Sequence, residues 1–214
     1  MPLRFSNIKI SIIDYGMGNL QSVKNALSRF GVKAVITNDT SVINKSDAFI
    51  LPGVGAFGKA MSNLTSLKLI DPIKEQILSN EKPILGICLG MQLLADNSEE
   101  KGSYEGLGLI KGTVKKINTQ KKYRLPHIGW NDLKIVNEKP LFSKILKEDA
   151  FYFVHSYEFK ANKKYISSFT DYGNDIVSSV QNENIFGVQF HPEKSKTSGL
   201  LIFSNFLKFV EHGI

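Results

Sequence analysis

A chain of 214 residues, 42% apolar and 22% charged, is long enough to bury a real core and fits one large domain over residues 1–214 better than two. No apolar run approaches the roughly 20 residues of a membrane helix, and Met1-Pro2-Leu3-Arg4-Phe5-Ser6 lacks the apolar stretch and cleavage site of a signal peptide, so no membrane association and a cytoplasmic location are expected. The formal charge of +7 raises the question of nucleic acid, but Lys115-Lys116, Lys121-Lys122 and Lys163-Lys164 lie far apart in sequence with no interleaved aromatic stripe; the expectation is a solvated lysine-rich surface, the alternative a basic patch facing an anionic substrate or an acidic protein.

The first half alternates strand and helix signals. Residues 8–13 form an apolar run that reads as a buried strand, and Asp14-Tyr15-Gly16-Met17-Gly18-Asn19 turns the chain. Asn19 is placed to cap a helix whose apolar positions Leu20, Val23, Leu27 and Phe30 share one face, with Gly31 ending it. Strands are predicted at 33–37, 48–51 and 83–87, the one at 48–51 broken by Pro52-Gly53-Val54-Gly55. Helices are predicted at about 57–64, 70–79 and 89–96. Strands alternating with helices imply an open, mostly parallel sheet covered on both faces.

From 107 to 190 the signals change to short strands with polar turns, at 113–114, 133–136, 151–154, 166–169, 176–180 and 186–190. These predict an antiparallel or mixed extension of the sheet. An amphipathic helix at about 199–211 closes the chain.

One segment carries a strong chemical signal. Gly86-Ile87-Cys88-Leu89-Gly90 is a nucleophile-elbow pattern with cysteine as the nucleophile, preceded by a strand and followed by a helix. The turn sets Cys88 at a helix N-terminus, where thiolate is favoured and the Leu89 amide can hold an oxyanion. As the sole cysteine it has no disulfide partner within the chain. Of four histidines, His212 falls in the last turn, His127 in a loop after Pro126, and His155 at a strand end. His191 ends the strand 187–190 and precedes Pro192-Glu193. Parallel strands share a C-terminal edge, so His191 can meet Cys88 while Glu193 reaches back to the other ring nitrogen. Pro52-Gly53-Val54-Gly55 falls on the same edge, with glycines that permit inward-facing amides. Gly16-Met17-Gly18 lacks the third glycine of a dinucleotide fingerprint, because position 21 is Gln, and no Cys/His spacing suggests zinc; no cofactor and no metal are expected.

Gly86-Ile87-Cys88-Leu89-Gly90-Met91-Gln92 with Phe190-His191-Pro192-Glu193 resembles the class I (triad) glutamine amidotransferases, whose fold is flavodoxin-like. Further ordered segments are similar to one branch of that family: Asp14 to Asn19, Leu51 to Phe57, Pro126-His127-Ile128-Gly129-Trp130-Asn131, Tyr152-Phe153-Val154-His155-Ser156-Tyr157 and Lys194-Ser195. That branch hydrolyses glutamine and passes the ammonia to a (β/α)8-barrel cyclase making imidazole glycerol phosphate and an aminoimidazole carboxamide ribotide in histidine biosynthesis.

The resemblance implies Cys88 as nucleophile, His191 as proton carrier and Glu193 as its orienter. It implies that Gly53, Val54, Gly55 and Leu89 hold glutamine and the oxyanion. Gln92 and the backbone of His155-Ser156-Tyr157 would fix the amino-acid end, and Asn19, Trp130, Asn131 and Lys194 would lie near the cyclase in a heterodimer. Similar subunits feed ammonia to sugar-modifying enzymes in surface-polysaccharide synthesis, a second reading. A free-standing cysteine hydrolase and a non-catalytic binding subunit are the readings of other classes.

Overall fold

In a computed structural model, residues 4–119 and 123–213 are described; Met1-Pro2-Leu3 and the Lys121-Lys122 pair lie outside them. The main sheet has eight strands in the order β2-β1-β3-β4-β14-β13-β12-β9. Its parallel part comprises β1 (Lys9–Ile13), β2 (Lys33–Thr37), β3 (Ala48–Gly53), β4 (Ile84–Cys88) and β14 (Ile185–Val188). Helices α1 (Leu20–Ser28), α2 (Thr40–Ile43), α3 (Phe57–Ser66), α4 (Ile70–Lys74, running into a π-turn at Glu75–Ser79) and α5 (Leu89–Leu93) connect these strands in the first half, and α6 (Lys196–His212) closes the chain.

Strand alternation decides which helix lies on which face. Ile10, Ile12, Ile50, Leu85 and Ile87 pack on one side against Val23 and Leu27 of α1 and Ile202, Phe203 and Phe206 of α6. Ile13, Phe49, Leu51 and Ile84 point to the other side and pack against α3, α4 and α5 through Phe57, Leu64, Ile73 and Met91. The central strands are therefore buried on both faces, as their uninterrupted apolar runs predicted.

The helix predictions hold with shifts at the ends. Asn19 stands at the N-cap of α1 but its side chain makes no capping bond. Gly31 takes the left-handed conformation (φ 74°) just beyond that helix. The helix after Cys88 is five residues rather than eight, and α6 begins three residues early. The segment before β1, to which the sequence assigned no role, adds Phe5 to the core: its amide donates to the Phe30 carbonyl (2.8 Å) and its ring lies 6.5 Å from that of Phe30.

The second half needs correction. Only β9 (Lys134–Ile135), β12 (Ile166–Asp171) and β13 (Asp175–Asn182) form the antiparallel extension. The predicted strand at 186–190 is β14, which makes the extension mixed: it pairs antiparallel with β13 and parallel with β4. The remaining strands build two separate small sheets. One pairs β8 (His127–Asn131) with β10 (Phe151–His155). The other joins β11 (Tyr157–Ala161), β7 (Gly112–Lys116), β5 (Asn97–Ser98) and β6 (Tyr104–Glu105). His127 thus sits in a strand rather than a loop. Most of these strands are short or carry polar residues, so their partners could not be read from apolar runs. Among the described residues no helix is long and apolar enough to cross a membrane, and no cluster of three or more His, Cys, Asp or Glu could hold a metal ion.

Candidate active site

Cys88 is the last residue of β4 and the N-cap of α5, with φ 55° and ψ −110°. A non-glycine residue there is strained by about 1–3 kcal/mol, which the surrounding sheet must overcome. The flanking glycines make the turn sterically possible. A Cβ on Gly86 would lie 2.7 Å from the Gly90 carbonyl oxygen, and one on Gly90 would lie 1.7 Å from that of Leu51. The elbow is tight enough that neither position accepts even alanine without backbone movement.

Register brings the other segments to it. Gly53 pairs with Cys88 across β3 and β4, so the Val54-Gly55 turn starts beside the nucleophile. Gly55 has φ 104°, which favours glycine. On the other side β14 pairs Val188 with Ile87, and the chain bends just beyond to bring His191 over the same edge. Glu193 Oε1 lies 2.8 Å from His191 Nδ1, with both side chains buried. His191 Nε2 is buried without a hydrogen-bond partner. Burial alone would discharge the ring, but interactions with Cys88 and Glu193 outweigh it and hold His191 up at about 10. His191 is therefore a loaded proton donor at neutral pH, with its open nitrogen on the Cys88 side.

An open cleft of about 540 Å³ lies over this edge. Cys88, Leu89, His191, Val54, Gly55, Gln92 and the His155-Ser156-Tyr157 segment line it. Gly53 does not reach the lining; its place is behind, where a Cβ would lie 2.2 Å from the Tyr15 hydroxyl. Tyr15 donates to the Pro52 carbonyl (2.8 Å), and burial, with the Cys88 charge, raises its pKa. The short length of α5 reduces the helix-dipole contribution expected at Cys88, leaving the Leu89 amide as the local donor.

His155 is itself buried. Its Nδ1 donates to the Tyr157 carbonyl (2.8 Å), and its Nε2 lies 3.1 Å from Nδ1 of His127, whose Nε2 is 2.9 Å from Asn131 Oδ1. Burial lowers the pKa of both rings, that of His155 to about 3. The Asn131 amide also donates to the Asp171 carbonyl (3.0 Å), so its side chain is engaged internally rather than presented outward. Asn19, Trp130 and Lys194 are exposed. Trp130 lies beside Tyr152 (5.8 Å, edge-on), Lys196 Nζ stands 5.2 Å from the Trp130 ring, and Lys194 Nζ 5.4 Å from the Tyr152 ring.

Several residues at the site were not picked out from sequence. Glu100, Lys101 and Lys116 bring charge to the cleft, and Glu100 also accepts from the Phe57 amide (2.7 Å). Gln189 is fully buried with its Nε2 3.6 Å from Cys88 Sγ. A signal for Gln189 did exist: it stands two residues before His191 at a strand end, the spacing that returns side chains to one face.

An elbow cysteine, a buried histidine with an open nitrogen, and a carboxylate on its far nitrogen define a triad hydrolase of the α/β type. The family model for glutamine amidotransferase class-I matches residues 11–209. The chain is 48% identical over 204 residues to the imidazole glycerol phosphate synthase subunit HisH of Sulfurimonas denitrificans, covering 94% of this chain and 98% of that one. It is 46% identical over 200 residues to subunit HisH 2 of Methanococcus maripaludis, covering 93% and 98%. A solved structure of PurLQS from Thermotoga maritima superimposes with a TM-score of 0.74 at 20% identity over 95% of this chain and 99% of that one, which shows the shared fold. The chain belongs to the class I glutamine amidotransferases, and within them to the HisH glutaminase subunits of imidazole glycerol phosphate synthase, in histidine biosynthesis.

Proposed function

We propose that residues 1–214 form a single glutamine amidotransferase domain in which Cys88, His191 and Glu193 hydrolyse glutamine, and that the ammonia passes to a (β/α)8-barrel cyclase bound at the exposed Trp130 side. The observation that carries the reading is the pairing of the Nδ1-to-Glu193 bond with an unpartnered Nε2 beside Cys88. That arrangement presents a proton where the leaving nitrogen needs it.

The Cys88 sulfur attacks the side-chain amide carbon, and a C–S bond forms as the carbonyl electrons move to oxygen. The Leu89 amide and the Val54-Gly55 turn hold that oxyanion. His191 Nε2 gives its proton to the amide nitrogen, the C–N bond breaks, and ammonia leaves with a glutamyl thioester behind. Water then attacks the thioester and returns a proton to Nε2; the C–S bond breaks and glutamate departs. Glu193 keeps the ring oriented and stabilises its cationic form throughout. The charges of Glu100, Lys101 and Lys116 suit the two charged ends of an amino acid.

Exposed Ile128 and Trp130 on one face of the β8–β10 ribbon support a docking role there, with Lys194 and Lys196 stacked alongside. A partner is also favoured by chemistry: ammonia released to neutral water becomes ammonium and loses its nucleophilicity. Cys88→Ala tests the reading. Glutamine-dependent synthesis by the complex is expected to vanish while synthesis from added ammonium salts continues; loss of both would mean that Cys88 serves assembly rather than hydrolysis.

A further inference from the structure

Gln189 has no role in the triad chemistry above, yet its side-chain N–H donates to the Cys88 sulfur. We infer that Gln189 is a further catalytic residue, a buried donor that stabilises the Cys88 sulfur as a thiolate, and that Gln92 fixes the orientation of its amide for that purpose. The inference rests on Cys88 being the nucleophile.

The orientation is dictated, link by link, from a main-chain carbonyl. The Tyr157 carbonyl can only accept. Gln92 Nε2 lies 3.0 Å from it, so the nitrogen end of the Gln92 amide must face that way. The same nitrogen lies 2.9 Å from Gln189 Oε1 and donates its second hydrogen there. Rotating the Gln189 amide by half a turn would set two NH2 groups against each other. Its oxygen is therefore held on Gln92, and its nitrogen is left facing the sulfur at 3.6 Å. The main chain of Gln189 is fixed as well, its amide donating to the Ser178 carbonyl (2.8 Å). Gln189 is fully buried and Gln92 nearly so, which shields these bonds from bulk solvent.

A neutral thiol gains little from such a donor, because sulfur in that form is a weak acceptor. A thiolate gains a charge-assisted bond. The Val154 carbonyl, 4.0 Å from the sulfur, is an acceptor and therefore favours the thiol, weakly at that length, whereas the charged His191 ring favours the thiolate as Gln189 does. Gln189 thus biases the pair toward thiolate and imidazolium, the form with the proton on His191. It acts again in the second half of the reaction. As water adds and the C–S bond breaks, the bonding electron pair returns to sulfur, and the Gln189 N–H, which keeps its proton, bonds the charge that develops.

The test uses the full chain, with its partner subunit wherever glutamine turnover is measured. Cys88 is alkylated with iodoacetamide across a range of pH in wild type and in Gln189→Leu, which keeps the volume and removes the donor. The proposal expects the alkylation profile to move about one pH unit toward alkaline, with kcat for glutamine about tenfold lower and KM changed less than about twofold. Circular dichroism and co-elution with the partner subunit report folding and should be unchanged. A folded Gln189→Leu protein whose profile overlies that of wild type overturns the inference. Should that variant not fold, Gln92→Leu decides, because alkylation needs no bound glutamine: freeing the Gln189 amide to rotate should shift the profile the same way, and an unmoved profile refutes the proposal. Failure of the underlying reading looks different, since wild type itself would then show no glutamine-dependent turnover.

Discussion

Gly53→Ala should damage the protein through one atom pair, which makes it a sharp test of the packing behind the nucleophile. The added Cβ would lie 2.2 Å from the Tyr15 hydroxyl, where ordinary contact begins near 3.4 Å, so the two groups must separate by more than an ångström. Tyr15 is 1% exposed and has nowhere to go without losing its bond to the Pro52 carbonyl. Overpacking of this size costs about 1–3 kcal/mol and loss of a buried hydrogen bond about 1–3 more, so destabilisation of about 2–6 kcal/mol is expected. Tyr15→Phe removes the hydroxyl and its bond, at about 1 kcal/mol. In the double variant the worst contact is gone, although Leu89 Cβ at 3.0 Å and the Gly90 nitrogen at 3.2 Å still crowd the new methyl. The double variant should therefore be more stable than the sum of the two single changes predicts, by about 1–2 kcal/mol. Urea unfolding of the four proteins measures this coupling directly. Additivity within about 0.5 kcal/mol would refute the account, because it would mean that the hydroxyl does not limit what fits at position 53.

Glu193→Gln should lower kcat for glutamine by about a hundredfold or more, because a neutral amide no longer stabilises the charged His191 ring, while ammonia-dependent synthesis survives; steady-state assays with both nitrogen sources check this. His155 fixes the sign of the acid response: its folded-state pKa of about 3 lies below the ordinary value of 6.5, so its contribution is present above about pH 6.5 and lost as pH falls toward 3. Melting temperatures should accordingly fall between about pH 6.5 and 5, above the range where most carboxylates titrate, and the fall should be shallower in His155→Asn; equal slopes would remove His155 as the cause. Gly90→Ala should give little folded protein on expression, since its Cβ meets the Leu51 carbonyl oxygen at 1.7 Å with only backbone to yield. Trp130→Ala should weaken partner binding by about tenfold or more while leaving the thermal stability of the isolated subunit within about 0.5 kcal/mol, both readable by calorimetry.

The parts of the site that were legible in the sequence share a property: they are set by local backbone rules. The elbow around Cys88 needs small residues two before and two after it. His191 and Glu193 are two residues apart at the end of a strand. Each is visible in a short window. The supports were not legible, because they depend on register between distant strands. That Gly53 lies opposite Cys88 follows from how β3 pairs with β4. That Gln189 reaches the sulfur follows from β14 lying next to β4, whereas the sequence assigned that strand only to an antiparallel or mixed extension. That ambiguity had a physical source. Residues 185–188 follow β13 after a two-residue turn, as a hairpin strand would, and they do pair with it antiparallel. The same strand pairs parallel with β4 on its other edge, and nothing local announces the second partner.

That double pairing is what allows the chemistry to occur where it does. A strand with a parallel neighbour on one side and an antiparallel one on the other stands where the sheet changes sense, and its C-terminal end opens on the same edge as β3 and β4. His191 is delivered to Cys88 by that placement alone, without a long loop that would have to be ordered at an entropic cost. The strain at Cys88 is tolerable for the same reason. Its strand is held on both sides, by Phe49 to Gly53 of β3 and by Ile185 to Val188 of β14, and Gly86 and Gly90 close the turn against each other. A nucleophile at φ 55° on an edge strand could relax by unpairing; between two parallel neighbours it cannot, so the sulfur stays fixed over the cleft with His191 on one side and the Gln189 amide within reach.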